Sequence, residues 1–560
     1  MTIATISLPL GKAIPEKPHA ISVQIPTWSD MCGMGRGDIQ IMEALRNGYP
    51  RTFIHKDVQE LSRACQSRFL SSPGKILLFP DPKSAQACKS YIISSDIHKN
   101  EAISSKSVSI FAIETGESQP TIMHAGKPPG PTTIWAIAFP EESAKVGAQF
   151  WRLTGTGISS RLAENCLRDV ESMQRVDRPV KRFYSAMSAV HPVYQTICAR
   201  IAYLMERAST GTPRSLAVRP SDVFLYPSGM SAIYHVQQML LKWRGLETVV
   251  IGFPYELTIK MVETYGPSFK FYSLGTDEQI DEFEIYLDTK ARSGSMIQAV
   301  WCECPSNPLL YTVDLERIRK LADKYGFVLV VDETIGSFAN VDVLGVADIV
   351  VTSLSKSFNG YADLLAGSVT LNPNYCYYGA LKTCLKEDYT NNLYIDDAIQ
   401  LERNSRNFLE RAAKMNDTAE CIVDYLSPFA SDPSSVVNAV HYPKTGQSTQ
   451  RYRSRMRQAT DEFTPGYGCL FTVDFDTIDA SRAFFDSLDV RKGPSLGANI
   501  TLAQPYVQMV LQKEKKWAAS HGLRETIVRV SVGLEDKHVV LQSVKNAHMM
   551  AEKTKGTHAL

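Results

Sequence analysis

Between Ser221 and Thr370, short continuous runs of β-branched and aliphatic residues alternate with amphipathic or turn-rich connections. The runs predict strands over 222–226, 248–252, 269–272, 297–302, 327–331 and 349–352, and the connections predict helices over 230–243, 257–265 and 315–325. The strands are too apolar to keep a wet face, so a mostly parallel sheet covered by helices on both sides is expected. A ligand of such a sheet sits beyond the carboxyl ends of its strands.

Outside this stretch the pattern is less regular. The first 190 residues carry short mixed segments punctuated by Pro, Gly and Ser, with strands expected over 75–79 and 133–139 and either strand or helix over 143–153. Ile197, Ile201, Leu204 and Met205 return at helical spacing and predict a helix over 193–208. After residue 372 a long helical stretch over 399–426 precedes strands over 436–441, 469–473 and 526–531 and a terminal helix over 538–551. Three units follow: an N-terminal extension or small α/β domain with an arm over 1–190, a large sheet domain over 191–372, and a linking helix with a smaller C-terminal α/β domain over 373–560.

Composition narrows the function classes. Sixty Lys and Arg against 59 Asp and Glu leave a formal charge of +1 in 560 residues, so no global field draws the chain to nucleic acid or anionic membrane. Eleven scattered cysteines read as a reducing, cytoplasmic setting. The first 20 residues lack a secretory pattern, and the apolar runs are strand-sized. The basic stretch over 451–457 is expected to be a solvated helix or loop, and Cys302 and Cys304 are expected to be buried thiols rather than half of a metal site.

The chemistry concentrates after three of the predicted strands. Asn307 lies in Pro305-Ser306-Asn307-Pro308, Asp332 follows the run ending at Val331, and Lys356 follows Ser353-Leu354-Ser355. A parallel sheet brings all three to one edge. A lysine amine there can capture an aldehyde, a carboxylate can keep a pyridine nitrogen protonated, and an amide can orient the ring through its oxygen. Pyridoxal 5'-phosphate (PLP) fits this division of labour, whereas a phosphate-only ligand leaves Asp332 unexplained. Gly229 and Met230, where a strand meets a helix, offer backbone N–H groups to a phosphate, with Ser353 and Ser355 adding hydroxyls. Tyr255, in the loop after the run over 248–252, has a face that can stack on the ring.

The segments Tyr226-Pro227-Ser228-Gly229-Met230, Cys304-Pro305-Ser306-Asn307-Pro308, Val331-Asp332-Glu333-Thr334 and Ser353-Leu354-Ser355-Lys356 together resemble the cysteine/methionine-metabolism branch of fold-type I PLP enzymes. The long fungal cystathionine gamma-synthase-like members are the most similar, over residues 180 to 540. The resemblance implies an aspartate-aminotransferase-like α/β fold with a large, mostly parallel sheet domain and a smaller C-terminal domain. It makes Lys356 the lysine that bonds PLP and shuttles protons, with Tyr255 stacking on the ring, and assigns Asp332, Asn307, Gly229, Met230, Ser353 and Ser355 to the cofactor. Arg529, in Arg529-Val530-Ser531-Val532-Gly533, is the candidate for the substrate carboxylate, and Ser495 and Thr501 belong to the substrate loop.

The implied activity is γ-substitution on an O-activated L-homoserine such as O-acetyl-L-homoserine, with cysteine sulfur or a carbon nucleophile of fungal secondary metabolism as acceptor. A C–S lyase of the same family and a non-catalytic scaffold are the alternatives. A homodimer or homotetramer is implied as well, because family members lend a Tyr-X-Arg pair to a neighbour's phosphate. At the expected position this chain reads Arg182-Phe183-Tyr184-Ser185, which lacks that pair in register, while Tyr49-Pro50-Arg51 has the right residue types far upstream.

Overall fold

The computed structural model describes residues 8–49, 52–94, 103–115, 132–176, 191–211 and 213–558. The hairpin of β1 (Ala13–Ile14) and β2 (Ser22–Val23) opens the described chain. A four-stranded antiparallel sheet follows, built from β3 (Lys75–Phe79), β4 (Ser109–Glu114), β5 (Thr133–Phe139) and β6 (Gln174–Val176) in the spatial order β3-β5-β4-β6. The segment left open between strand and helix is the helix Ala144–Thr154. Gly147, Phe150, Leu153 and Thr154 recur at helical spacing and are buried.

The large domain holds seven strands: β7 (Val223–Tyr226), β8 (Glu247–Ile251), β9 (Phe269–Tyr272), β10 (Ile297–Glu303), β11 (Val328–Asp332), β12 (Ile349–Thr352) and β13 (Gly367–Leu371). Their order is β7-β13-β12-β11-β10-β8-β9. Neighbours from β12 to β9 pair in parallel, while β13 runs antiparallel between β12 and β7. On β11, Leu329 and Val331 enter one apolar cluster while Val328 and Val330 enter the cluster on the opposite face. Both faces being dry, the strand has no reason to alternate polar with apolar residues, and each such side chain contributes about 1.5–3 kcal/mol by burial.

In the smaller domain, the expected long helical stretch is two helices, Ile395–Asn404 and Phe408–Leu426. Beyond them lie β14 (Val437–His441), β15 (Leu470–Phe475), β16 (Arg491–Lys492), β17 (Leu502–Gln504) and β18 (Ile527–Ser531), ordered β14-β15-β18-β17-β16, and the helix Lys537–Glu552.

Residues 8–49 pack against the C-terminal domain. Ile25 N–H donates to Lys492 O at 2.8 Å, Trp28 N–H donates to Asp486 Oδ1 at 2.7 Å, and Val23, Ile25 and Trp28 share a core with Phe471 and Phe484. The basic stretch is anchored rather than solvated: Arg451 pairs with Asp277 and Arg455 with Glu316, each at 2.6 Å, and buried Arg457 donates to the carbonyls of Arg207 and Met205.

Glu333, immediately after β11, is fully buried and accepts from Thr352 Oγ1 at 3.2 Å. Burial pushes its carboxyl up to about 8 from an ordinary 4.5, so the folded chain keeps a proton that the unfolded chain releases. This group's contribution to stability therefore falls as pH rises through that window, by up to about 1.4 kcal/mol per pH unit. Glu333→Gln is expected to make the denaturation midpoint of the protein, purified without added ligand, fall less steeply between about pH 6 and 8. An unchanged slope would show that Glu333 does not hold that proton.

Candidate active site

Because β12, β11 and β10 are adjacent and parallel, Lys356, Asp332 and Asn307 leave the sheet at one edge, with strand spacings of about 4.8 Å. Gly229 follows β7 and Tyr255 follows β8 at the same edge. All five line a cavity of about 950 Å³, at the upper end of the roughly 300–1,000 Å³ range of small-ligand sites.

Lys356 is buried, and its Nζ donates to Ser495 Oγ at 2.9 Å and to Tyr49 Oη at 3.0 Å. Ser495 holds this position with φ of +94°, a left-handed conformation that costs a residue with a side chain about 1–3 kcal/mol. Two residues on, Gly497 has φ of +70°, and a Cβ there would lie 2.6 Å from Ser357 N and 3.1 Å from Lys356 C. The loop over 493–497 thus presses its backbone onto the lysine loop, and only glycine permits the approach.

Asp332 lies in the cavity wall and its Oδ1 accepts from Thr334 N–H at 2.8 Å. Burial pushes its carboxyl up to about 6, and among the described residues no cation pairs with it. A cationic ring nitrogen would supply the missing counter-charge. Glu303, the last residue of β10, takes the N–H groups of Tyr255 at 2.8 Å and Asn307 at 3.0 Å, so one carboxyl pins both loops. Burial, with Asp332 nearby, pushes that carboxyl far above its ordinary range. Sequence reasoning missed Glu303, although its place at the end of an apolar strand beside Cys304-Pro305 was a signal.

Arg529 on β18 is buried and held by neutral acceptors: Asn307 Oδ1 at 2.8 Å, Gln504 Oε1 at 2.8 Å and Ser495 O at 3.0 Å. The Tyr506 ring lies 5.2 Å from its guanidinium carbon. Among the described residues no carboxylate forms an ion pair with it, and burial pulls the guanidinium down from its ordinary value. A ligand carboxylate would restore the balance.

At the other end of the cavity, the helix Gly229–Trp243 starts on Ser228, whose Oγ accepts from Ser231 N–H at 3.0 Å and donates to Gly155 O at 2.9 Å. Gly229 and Met230 occupy the first turn, where N–H groups have no intrahelical partner and suit an anion. A Cβ on Gly229 would lie 2.8 Å from Ser353 Cβ and Oγ, so glycine lets this turn meet the Ser353 loop. The donor set and the buried carboxylate fit a phosphorylated cationic heteroaromatic group.

Two expected roles meet a different geometry. Ser355 borders the cavity, but its Oγ donates to Ala366 O at 3.1 Å and accepts from Ala366 N–H at 2.9 Å, committing its proton. Thr501 does not line the cavity. Its hydroxyl donates to Glu535 Oε2 at 2.7 Å and accepts from Gly533 N–H at 2.9 Å, making it a loop clamp instead of a substrate contact. Tyr49 reaches Lys356, whereas Arg51, Arg182 and Tyr184 lie outside the described residues. Cys302 and Cys304 are buried, and burial pushes the Cys304 thiol up to about 12.

Residues 218–548 match the family described as Cys/Met metabolism PLP-dependent enzyme, and residues 57–159 match the fungal trans-sulfuration enzyme N-terminal domain. Relatives include an alanine racemase of Aspergillus violaceofuscus, 38% identical over 97% of this chain and 96% of its own length. A cystathionine gamma-synthase-like enzyme of Amanita muscaria is 34% identical over 98% of both chains. A cystathionine gamma-synthase of Neurospora crassa is 32% identical over 97% of this chain and 98% of its own. The solved cystathionine gamma synthase of Xanthomonas oryzae shares the fold with a TM-score of 0.52 at 22% identity, covering 67% of this chain and 91% of that one.

Gly497→Ala is expected to displace the Lys356 backbone and cut the cofactor fixed to the protein by borohydride at least about tenfold, with far-ultraviolet circular dichroism unchanged. Full fixation in this variant would mean that the loop yields to the added methyl.

Proposed function

Because the chain belongs to the Cys/Met metabolism PLP-dependent enzymes, we propose that it catalyses γ-substitution on an O-activated L-homoserine such as O-acetyl-L-homoserine. The observation that carries this reading is one cavity in which buried Lys356, the uncompensated Asp332 carboxylate and the uncompensated Arg529 guanidinium face the same space. Relatives bearing the cystathionine gamma-synthase name over nearly their whole length support the substitution class. The acceptor is cysteine sulfur or a carbon nucleophile. The proposal includes a homodimer or homotetramer working in the cytoplasm.

Lys356 would hold PLP, with Asp332 at its ring nitrogen, Tyr255 against its face, the Asn307 amide at its ring oxygen, and Gly229, Met230 and Ser353 at its phosphate. Bound there, PLP would supply an aldehyde for the substrate amine and an electron sink for charge developing at Cα. Arg529 binds the substrate α-carboxylate and so fixes which bonds at Cα face the lysine. Lys356 would remove the Cα proton, and its hydrogen bonds to Ser495 and Tyr49 orient Nζ for that transfer. A second proton leaves Cβ, acetate leaves Cγ with its bonding pair, and the nucleophile bonds to Cγ before the protons return.

A second reading, amino-acid racemisation, has an observation of its own: Lys356 is paired with the Tyr49 phenol, and the relative at 38% identity is named an alanine racemase. It requires only the Cα proton to leave and return on the other face.

Purified protein supplied with PLP is expected to yield a borohydride-fixed peptide containing Lys356, and Lys356→Ala is expected to lower turnover by more than about a thousandfold. With O-acetyl-L-homoserine and cysteine or a β-keto compound, mass spectrometry should detect a γ-linked product. Ammonia with a keto acid would indicate a lyase. D-alanine formed from L-alanine with solvent deuterium at Cα, and no γ-linked product, would replace the primary reading with racemisation.

A further inference from the structure

The helix Ala144–Thr154 belongs to the N-terminal module, yet it forms one wall of the cavity. Phe150 packs with Phe79, Trp135 and Phe139 of the module's own sheet while Leu153 joins the apolar cluster of the large domain, and Lys145, Gln149 and Arg152, spaced i, i+4, i+7, share a face that borders the cavity. Arg152 Nη2 lies 3.9 Å from Glu256 Oε1, Tyr506 donates its O–H to Glu256 Oε2 at 3.1 Å, and the Tyr506 ring lies against Arg529. Two guanidinium groups therefore stand at the ends of one polar chain along the wall, about as far apart as a Glu and a Tyr side chain together can bridge.

The charge of the lining is asymmetric. Lys145, Arg152, Lys356, Lys513 and Arg529 supply cations, against the carboxyls of Glu256, Glu303 and Asp332. All three carboxyls are buried, a setting that disfavours their charged forms. The reaction proposed above places two anionic groups: the cofactor phosphate at the Gly229 turn and the α-carboxylate of the amino donor at Arg529. Neither is assigned to Arg152 or Lys145, and the cavity is at the large end of its class. An incoming nucleophile that carries its own carboxylate would fill that place.

We infer that the helix Ala144–Thr154 recognises the acceptor, with Arg152 binding a carboxylate on the nucleophile and Lys145 drawing it into the cavity. The acceptor class is accordingly a carboxylate-bearing thiol or a β-keto acid rather than a neutral thiol or ester. Glu256 is a positioning residue that holds Arg152 toward the cavity. The inference rests on the γ-substitution reading and adds the acceptor's chemistry to it.

The test compares acceptors that differ only in the carboxylate, cysteine with cysteamine and acetoacetate with its methyl ester, using O-acetyl-L-homoserine as donor and the PLP-loaded full chain. The wild type is expected to favour each acid at least tenfold in kcat/KM. Arg152→Gln should lose at least tenfold on the acid, through KM, while the KM of the donor and the values for cysteamine and the ester stay within twofold. Arg152→Lys should recover part of the loss. Equal loss on acid and neutral acceptors would overturn the assignment, as would a weaker PLP affinity in a direct absorbance titration of Arg152→Gln, which would place Arg152 at the phosphate. Donor consumption with an unchanged acid preference in Arg152→Gln sinks this inference alone. A wild type that leaves the donor unconsumed sinks the proposed function with it.

Discussion

Parallel strands share a direction, so each hands its next residue to the same edge of the sheet. In this chain β10, β11 and β12 lie side by side, and their exits carry the amide of Asn307, the carboxylate of Asp332 and, four residues beyond the strand, the amine of Lys356. If the strand order changed, those groups would lie on separate parts of the sheet. The dry packing of both faces holds the order, since a slipped strand would trade buried aliphatic side chains for open space. Every polar function described above leans on that apolar scaffold.

The cavity at this edge keeps charges that the protein does not neutralise itself. Asp332 has a backbone N–H where a cation would be expected, and Arg529 has an amide, another amide and a carbonyl where a carboxylate would be expected. Desolvating such groups without partners is unfavourable, so the free protein holds them at a cost that a ligand of opposite charge relieves. Neutral acceptors around Arg529 fix its direction without satisfying its charge, and this is how orientation and affinity become separable. Glu303 illustrates the complementary device, a carboxyl that takes two backbone N–H groups and spends its acceptors on shape.

Much of the large domain was legible because an apolar run with two buried faces is hard to mistake. The strands at Phe269–Tyr272 and Ile349–Thr352 and the helix Leu315–Tyr325 coincide with the expectation residue for residue. The antiparallel β13 (Gly367–Leu371) was missed, since Gly367-Ser368-Val369-Thr370-Leu371 is short and its pairing depends on strands far apart in sequence. In the site, the residues that follow strands were readable from position, whereas Thr501 was taken for a substrate contact because a hydroxyl in the right loop gives no hint that Glu535 will claim it. Tyr49 was recognisable by residue type but not by place, for its partner Lys356 lies 307 positions away. Arg152 and Glu256 gave no signal at all: an arginine on a helix and a glutamate at a helix start are common surface residues, and only the packing of one module on another turns them toward a cavity.

The hairpin and helix over residues 13–36 are seated on residues that lie far downstream in the chain. Gln24 accepts from Lys492 N–H across 468 positions, and Trp28 reaches Asp486 across 458. Translation therefore exposes these residues long before their docking surface exists, and they wait undocked while the central sheet forms behind them. Since Ser22 Oγ also donates to Pro494 O, in the loop that carries Ser495, the same downstream stretch seats the hairpin and closes on Lys356. Nascent chains stopped short of that point would hold a finished sheet edge and no closed pocket.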